Sequence, residues 1–97
     1  MSDDSEKAQK YVERLAALVP EVGTKLHRPA TGSPGVTWIS GKVVSRFDDD
    51  KTGPVVVVRW WWPRKKRFAF EVEEAWAFGM SIEGGVVHVG PAPKAAG

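Results

Sequence analysis

The sequence predicts one mainly-β domain preceded by a single amphipathic helix. Three observations support this fold class. Apolar residues recur at helical spacing before Pro20. From Gly23 onward apolar and polar residues alternate with a period of two, and turn residues recur at short intervals. The chain has 97 residues, a length typical of one domain. We predict the helix within residues 1–21, the β domain in 22–90 and a flexible tail in 91–97.

The predicted helix has one apolar stripe along residues 4–19. Its members are spaced three and four apart, and they are Ala8, Tyr11, Val12, Leu15, Leu18 and Val19. Such a stripe has to be covered in the folded protein. Two interpretations remain open: the helix packs on the domain's own sheet, or it binds a partner.

Five short strands follow the helix. We predict them in residues 23–28, 36–47, 54–62, 67–73 and 85–89, with a short helical turn within 73–80. A long first loop, two hairpins and a helical turn before the last strand form the connection pattern of an SH3-like β-barrel, which leaves few sheet edges exposed. The alternative is an open five-stranded sheet with the helix across one face.

The third and fourth predicted strands form a hairpin around the segment RWWWPRKKRF. Matching apolar with apolar residues across this hairpin favours one register, because paired residues share a face. In that register residues 63–67 form the loop. The expected core pairs are Trp62 with Phe68, Trp60 with Phe70 and Val58 with Val72.

The opposite side of the hairpin, called the outer face here, contains Arg59 and Trp61 by alternation. The same register places Arg59 opposite Glu71 and Trp61 opposite Ala69. With Val55 and Val57 beside it, an uncovered Trp61 would contribute to an apolar interaction patch. Either the helix or a partner is expected to cover this patch.

Charge is distributed unevenly on a chain of net charge +2. Four consecutive cations form the loop of the hairpin and the start of the fourth strand; this basic turn consists of Arg64, Lys65, Lys66 and Arg67. It predicts a local positive spot that would attract acidic proteins or nucleic acid.

Catalytic and cofactor chemistry is not predicted. The chain has no cysteine, which excludes disulfides, thiolate metal sites and a cysteine nucleophile. His27 and His88 have no ligand partner near them in the sequence, so we predict no metal and no cofactor. No motif combines a nucleophile, a base and an oxyanion donor, and we therefore predict that the protein is not an enzyme.

The N-terminal segment is polar and acidic, and no apolar run reaches the roughly 20 residues of a membrane span. We therefore predict a cytoplasmic protein without membrane insertion. The oligomeric state stays open.

Residues from Gly23 to about Ala75 resemble a known family. The similar segments are GTKLHRP, then GKVV at 41–44, GPVVVVRW at 53–60 and RFAFEVEEA at 67–75. They are similar to the SH3-like electron-transport accessory barrels, especially the ferredoxin-docking small subunit of photosystem I and the variable chain of ferredoxin–thioredoxin reductase. The resemblance implies a non-catalytic subunit that docks beside a redox enzyme and presents cations to an acidic carrier. The implied docking groups are Arg28, Arg59 and the basic turn.

Two functions are therefore expected. The first is an accessory subunit that docks an acidic protein or a larger complex through the hairpin, with a binding set of Arg28, Arg59, Trp61, Arg64, Lys65, Lys66 and Arg67. The alternative is a small β-barrel that binds nucleic acid through the same hairpin. A third interpretation is that the basic turn only keeps an apolar hairpin soluble.

Overall fold

The computed structural model describes residues 3–30 and 35–93. The predicted class is confirmed: the protein is mainly β, with five strands and an N-terminal helix. In chain order the elements are α1 (Asp3–Ala16), β1 (Lys25–Pro29), β2 (Trp38–Asp49), β3 (Gly53–Trp62), β4 (Arg67–Glu74), α2 (Ala75–Glu83) and β5 (His88–Val89). Part of the predicted first loop, residues 31–34, and the end of the predicted tail, residues 94–97, lie outside the described residues.

The strands form one antiparallel sheet in the order β4-β3-β2-β1-β5. This sheet is not closed into a barrel: across the described residues β4 pairs with β3 alone. At the other edge β5 contains only two residues, and both pair with β1. The open sheet of the alternative is therefore observed instead of the predicted barrel, but α1 packs on α2 and not across a face of the sheet.

The predicted helical turn is a complete helix, α2, which begins directly after β4 and buries Ala75, Phe78 and Gly79. Helix α1 packs against α2, with Leu15 fully buried beneath Gly79. Arg14 also forms an ion pair with Glu83 at the exposed side of this contact. The C-terminal part of α1 is thus covered within the chain, by α2.

The apolar stripe of α1 is covered over only part of its length. Leu15 and Val19 are buried, whereas Tyr11, Val12 and Leu18 are 47%, 38% and 38% exposed. The first turns of the helix are exposed throughout the residues whose side chains are described. The core therefore begins at the end of α1.

The core lies between the inner face of the sheet and α2. Its largest members are Trp60 and Phe78, both at most 1% exposed. The other buried members of the cluster are Val19, Leu26, Ile39, Val43, Val56, Val58, Ala75 and Val87, with Trp62 packed against them. The prediction that Trp60 is a core residue is confirmed, and Trp62 lies at the margin of the core.

The predicted register of the β3–β4 hairpin is wrong by one residue. Trp62 pairs with Arg67, Trp61 with Phe68 and Trp60 with Ala69. The loop is accordingly one residue shorter than predicted and spans residues 63–66, in which Lys66 has a left-handed backbone (φ 51°). Every side chain of β4 therefore faces the side opposite to that expected.

The space around Trp60 explains this register. On β2 its partner is Gly41, where an added Cβ would lie 2.6 Å from Cζ3 of the Trp60 ring. On β4 its partner is Ala69. The indole is thus flanked across both neighbouring strands by the two smallest residues, a glycine and an alanine. The predicted register would have placed Phe70 beside the ring, where the structure has only a methyl group.

The shift also changes the surroundings of the acidic residues of β4. The predicted pair of Arg59 with Glu71 is wrong, because Arg59 pairs with Phe70. Glu71 lies on the inner face instead, 3.9 Å from Nη1 of Arg28. Burial raises the pKa of the Glu73 carboxyl above its ordinary value, and the neighbouring Glu71 charge adds to this shift.

Candidate functional site

The outer face of the sheet brings apolar and cationic side chains together. By register it contains Lys25 of β1, Lys42 of β2, Val57, Arg59 and Trp61 of β3, and Phe68, Phe70 and Val72 of β4. Two predicted site residues, Arg59 and Trp61, are therefore on this face, as alternation predicted. The β4 residues are additions that follow from the observed register.

The β4 part of the outer face is unusually exposed for its composition. Phe68 is 48% exposed, and Phe70 and Val72 are each 65% exposed. All three lie two residues apart on one edge strand, so their side chains form a continuous row about 13 Å long, at roughly 3.3 Å of rise per residue. A contiguous apolar row of this kind marks an interaction surface more often than scattered exposed residues do.

Trp61, Phe68 and Arg59 form a compact cluster near the loop end of the β3–β4 hairpin. The Trp61 and Phe68 rings meet edge to face with their centroids 4.9 Å apart. The Arg59 guanidinium lies over the Phe68 ring, with Cζ 4.3 Å from its centroid. Such contacts fix the guanidinium in place and leave its charge at the surface.

This position of Arg59 is not what stability alone would favour. Its Nε is buried and has no hydrogen-bond partner among the described residues. An unsatisfied buried donor costs about 1–3 kcal/mol. Local violations of this kind occur at binding sites, but Nε1 of the core residue Trp60 is also buried without a partner in the described part of the chain, so this observation alone does not identify a site.

Cations also lie directly opposite each other across the neighbouring strands. Lys25 pairs with Lys42, and Lys42 pairs with Arg59. Like charges at paired positions of an antiparallel sheet destabilise it. None of the three forms a salt bridge within the part of the chain that the structure describes. The outer face thus has a row of three uncompensated positive charges.

The basic turn extends this positive charge beyond the end of the hairpin. Arg64, Lys65 and Lys66 lie in the loop, Arg67 is the first residue of β4, and all four are exposed. The turn lies next to the Trp61–Phe68 cluster in the hairpin register. The structure therefore places the basic turn at one end of the exposed apolar row.

Arg28 is the predicted site residue that the structure separates from the others. It pairs with Ile39, a core residue, and so belongs to the inner face. Its guanidinium lies 4.6 Å from the ring centroid of Trp60 and 5.6 Å from that of Trp62. Together with Glu71 it covers the margin of the core, on the side opposite to Arg59 and Trp61.

The two histidines are neighbours although they are distant in sequence. His27 and His88 stack with centroids 5.0 Å apart, and Trp38 meets both rings edge-on. Nδ1 of His27 is 2.9 Å from the carbonyl oxygen of Gly90. This hydrogen bond and the stack attach β5 to β1, so a structural role accounts for both side chains.

Among the residues that the structure describes, no group of three or more His, Asp or Glu side chains is placed to hold a metal ion. No helix in residues 3–30 or 35–93 is both long enough and apolar enough to cross a membrane.

Comparison with known proteins gives no further assignment: no family model, no curated protein and no solved structure matches this chain.

Sequence reasoning missed five residues of the outer face. Pairing apolar residues with apolar residues places Phe68, Phe70 and Val72 in the core, whereas all three lie on the outer face. Lys25 and Lys42 were not considered, because their proximity to Arg59 depends on strand pairing between distant segments. The sequence of β4 contains no signal for this exposure, because Phe68, Phe70 and Val72 alternate with Ala69, Glu71 and Glu73 in either register.

Proposed function

We propose that this protein is a non-catalytic docking module that binds an acidic protein partner through its outer face. The observation that carries the proposal is the exposed row of Phe68, Phe70 and Val72, which lies between the cation row and the free edge of β4. Aromatic anchors beside an arginine, such as Trp61 and Phe68 beside Arg59, are typical of the energetically important centres of protein interfaces.

The two parts of the outer face would act differently in docking. The apolar row supplies the area that is removed from water, which contributes roughly 25 cal/mol per Å². Lys25, Lys42, Arg59 and the basic turn supply positive charge that attracts and orients a partner of opposite charge. Because most of these charges are exposed, their contribution is expected to fall as ionic strength increases.

A protein partner fits the composition of the row better than nucleic acid does. Val72 is as exposed as Phe70, and an aliphatic side chain offers no ring on which a base can stack. Val57, the cross-strand partner of Val72, continues this aliphatic surface. The proposal keeps the cytoplasm as the compartment, as the sequence predicts.

The test is affinity capture from the host lysate with three forms of the protein. The wild type is compared with Phe70→Ser/Val72→Ser and with a matched control, Met80→Ser/Val86→Ser, whose residues are also exposed but lie outside β4. We expect the wild type and the control to retain an acidic protein that the β4 variant loses, and that is released at high salt. Equal capture by all three forms would contradict the proposal.

Single-stranded nucleic acid is the second candidate, and the spacing of Phe68 and Phe70 favours it. Both rings are exposed, lie two residues apart on one face, and have Arg59 beside them. Aromatic side chains next to cations provide stacking platforms for successive bases.

A salt titration distinguishes nucleic acid from a protein partner. Labelled single- and double-stranded oligonucleotides are titrated with the wild type and with a variant in which all four residues of the basic turn are changed to Ser. Four phosphate contacts give a log–log slope of roughly −3 to −4. Saturable binding with that slope, lost in the variant, would favour nucleic acid. Absence of binding at low salt would leave the acidic protein as the ligand.

A further inference from the structure

A cleft opens on the outer face beside the row of cations. Its volume is about 360 Å³, and its walls include Lys25, Lys42, Arg59, Trp61, Phe68 and the segment 91–92 that follows β5. Pockets that bind small molecules have volumes of about 300–1,000 Å³ and combine apolar walls with a few polar groups. This cleft lies at the lower end of that range.

The charges in the cleft all have the same sign. Lys25, Lys42 and Arg59 lie on three neighbouring strands, and no acidic residue among those described lines the cleft. Adjacent strands are roughly 5 Å apart, so the three charges extend over roughly 10 Å. An extended anion with several charges fits this row, because one phosphate or carboxylate can be placed near each cation.

The other walls of the cleft are aromatic and apolar. Trp61 and Phe68 hold each other edge to face, and Arg59 is fixed over Phe68. A planar ring placed here would contact an aromatic side chain and a guanidinium at once, and both are surfaces on which nucleobases stack. The cleft thus offers phosphate contacts and a base contact next to each other.

From this arrangement we propose that the cleft binds a free nucleotide, with its phosphates on Lys25 and Lys42 and its base against Trp61, Phe68 and Arg59. This site goes beyond the docking function: it shares Lys25, Lys42, Arg59 and Phe68 with the docking surface, but it takes a small ligand inside the cleft and does not need the rest of the β4 row or the basic turn. The like-charge pairs destabilise the sheet when the cleft is empty, and an anion that neutralises them stabilises it.

The test uses isothermal titration calorimetry at low salt with three probes: adenosine diphosphate, pyrophosphate and adenosine. Adenosine diphosphate is expected to bind, and each of the other two to bind at least about tenfold more weakly, because each lacks one of the two kinds of contact. Equal affinity for pyrophosphate would show that the base makes no contact and would overturn its placement against Trp61, Phe68 and Arg59. Failure of adenosine diphosphate to bind would overturn the site.

The diagnostic variant is Lys42→Glu, at an exposed position where a change of side chain leaves the core intact. It converts two like-charge pairs into opposite-charge pairs, so without ligand its midpoint of thermal unfolding is expected to rise. Its affinity for adenosine diphosphate should fall roughly tenfold or more. A lower thermal midpoint for Lys42→Glu would contradict repulsion within the row of cations. Unchanged affinity for adenosine diphosphate would overturn the site.

Two controls separate this cleft from the docking function. Lys10→Glu makes the same charge change on α1, and the basic-turn variant removes four cations outside the cleft; both should retain nucleotide binding. Loss of binding in the basic-turn variant alone would place the anion at the turn and overturn the proposal. An oligonucleotide that binds far more tightly than adenosine diphosphate would assign the cleft to nucleic acid instead.

Discussion

Replacing Gly79 by alanine tests the packing of α1 on α2. Gly79 is buried in α2, and a Cβ built there would lie 2.6 Å from the carbonyl carbon of Leu15, with the carbonyl oxygen closer still. Non-bonded carbon atoms prefer separations of about 3.5–4.0 Å. One of the two helices would therefore have to move by about 1 Å.

Two opposing effects determine the size of the change. Overpacking a core typically costs about 1–3 kcal/mol, and we take the upper half of that range because a main-chain carbonyl has no alternative rotamer. Alanine gains about 1 kcal/mol over glycine in helix propensity. The expected net loss in the free energy of unfolding is therefore about 1–2 kcal/mol, which lowers the thermal midpoint by roughly 5–15 °C.

Urea unfolding followed by tryptophan fluorescence and far-UV circular dichroism measures this loss. The matched control is Gly84→Ala: Gly84 follows α2 in a right-handed conformation (φ −78°), and an added Cβ would lie 3.2 Å from the carbonyl oxygen of Met80. The control should change stability by less than about 0.5 kcal/mol. If Gly79→Ala were more stable than the wild type, helix propensity would dominate and the close contact with Leu15 would be refuted.

Three further outcomes are expected. Gly41→Ala should lower the free energy of unfolding by about 1–3 kcal/mol in urea, because the new methyl group meets the Trp60 ring; an unchanged midpoint would contradict this contact. Phe70→Ala should lower the free energy of unfolding by less than about 1 kcal/mol, because Phe70 is 65% exposed. In the register predicted from sequence Phe70 is a core residue, and the same substitution would cost about 3–5 kcal/mol. The pKa of Glu73 is raised in the folded protein, so the folded chain keeps this proton to higher pH than the unfolded chain does. The contribution of Glu73 to stability is therefore full below the ordinary pKa of 4.5 and is lost as pH rises through the raised pKa. Glu73→Gln should therefore be more stable than the wild type near neutral pH and should lose that advantage in acid. Parallel pH profiles for the two proteins would contradict the raised pKa of the half-buried Glu73.

The strands could be predicted from sequence because their signal is local. Alternation and turn residues located β2, β3 and β4 to within two residues of their observed ends. The register could not be predicted in the same way, because it depends on the space around Trp60 and on the left-handed conformation of Lys66. Pairing strand residues by polarity alone takes neither the space around Trp60 nor the conformation of Lys66 into account.

In the candidate site, too, the residues that are close in sequence could be predicted and those that meet through strand pairing could not. Arg59, Trp61 and the basic turn could be identified because they are adjacent in one segment. Lys25 and Lys42 approach Arg59 only through strand pairing, and the exposure of Phe70 follows from the register. Arg28 was assigned to the site by family resemblance, which does not specify a face of the sheet.

The fit of Trp60 between Gly41 and Ala69 has a consequence for how this sequence can change over evolutionary time. While Trp60 is present, neither position 41 nor position 69 can accept a larger side chain. The substitutions tolerated at these two positions therefore depend on which residue occupies position 60. A change of Trp60 to a smaller apolar residue would leave a void that a larger residue at 41 or 69 could fill. Related sequences should therefore show the three positions varying together, with bulk moving from the central strand to its neighbours.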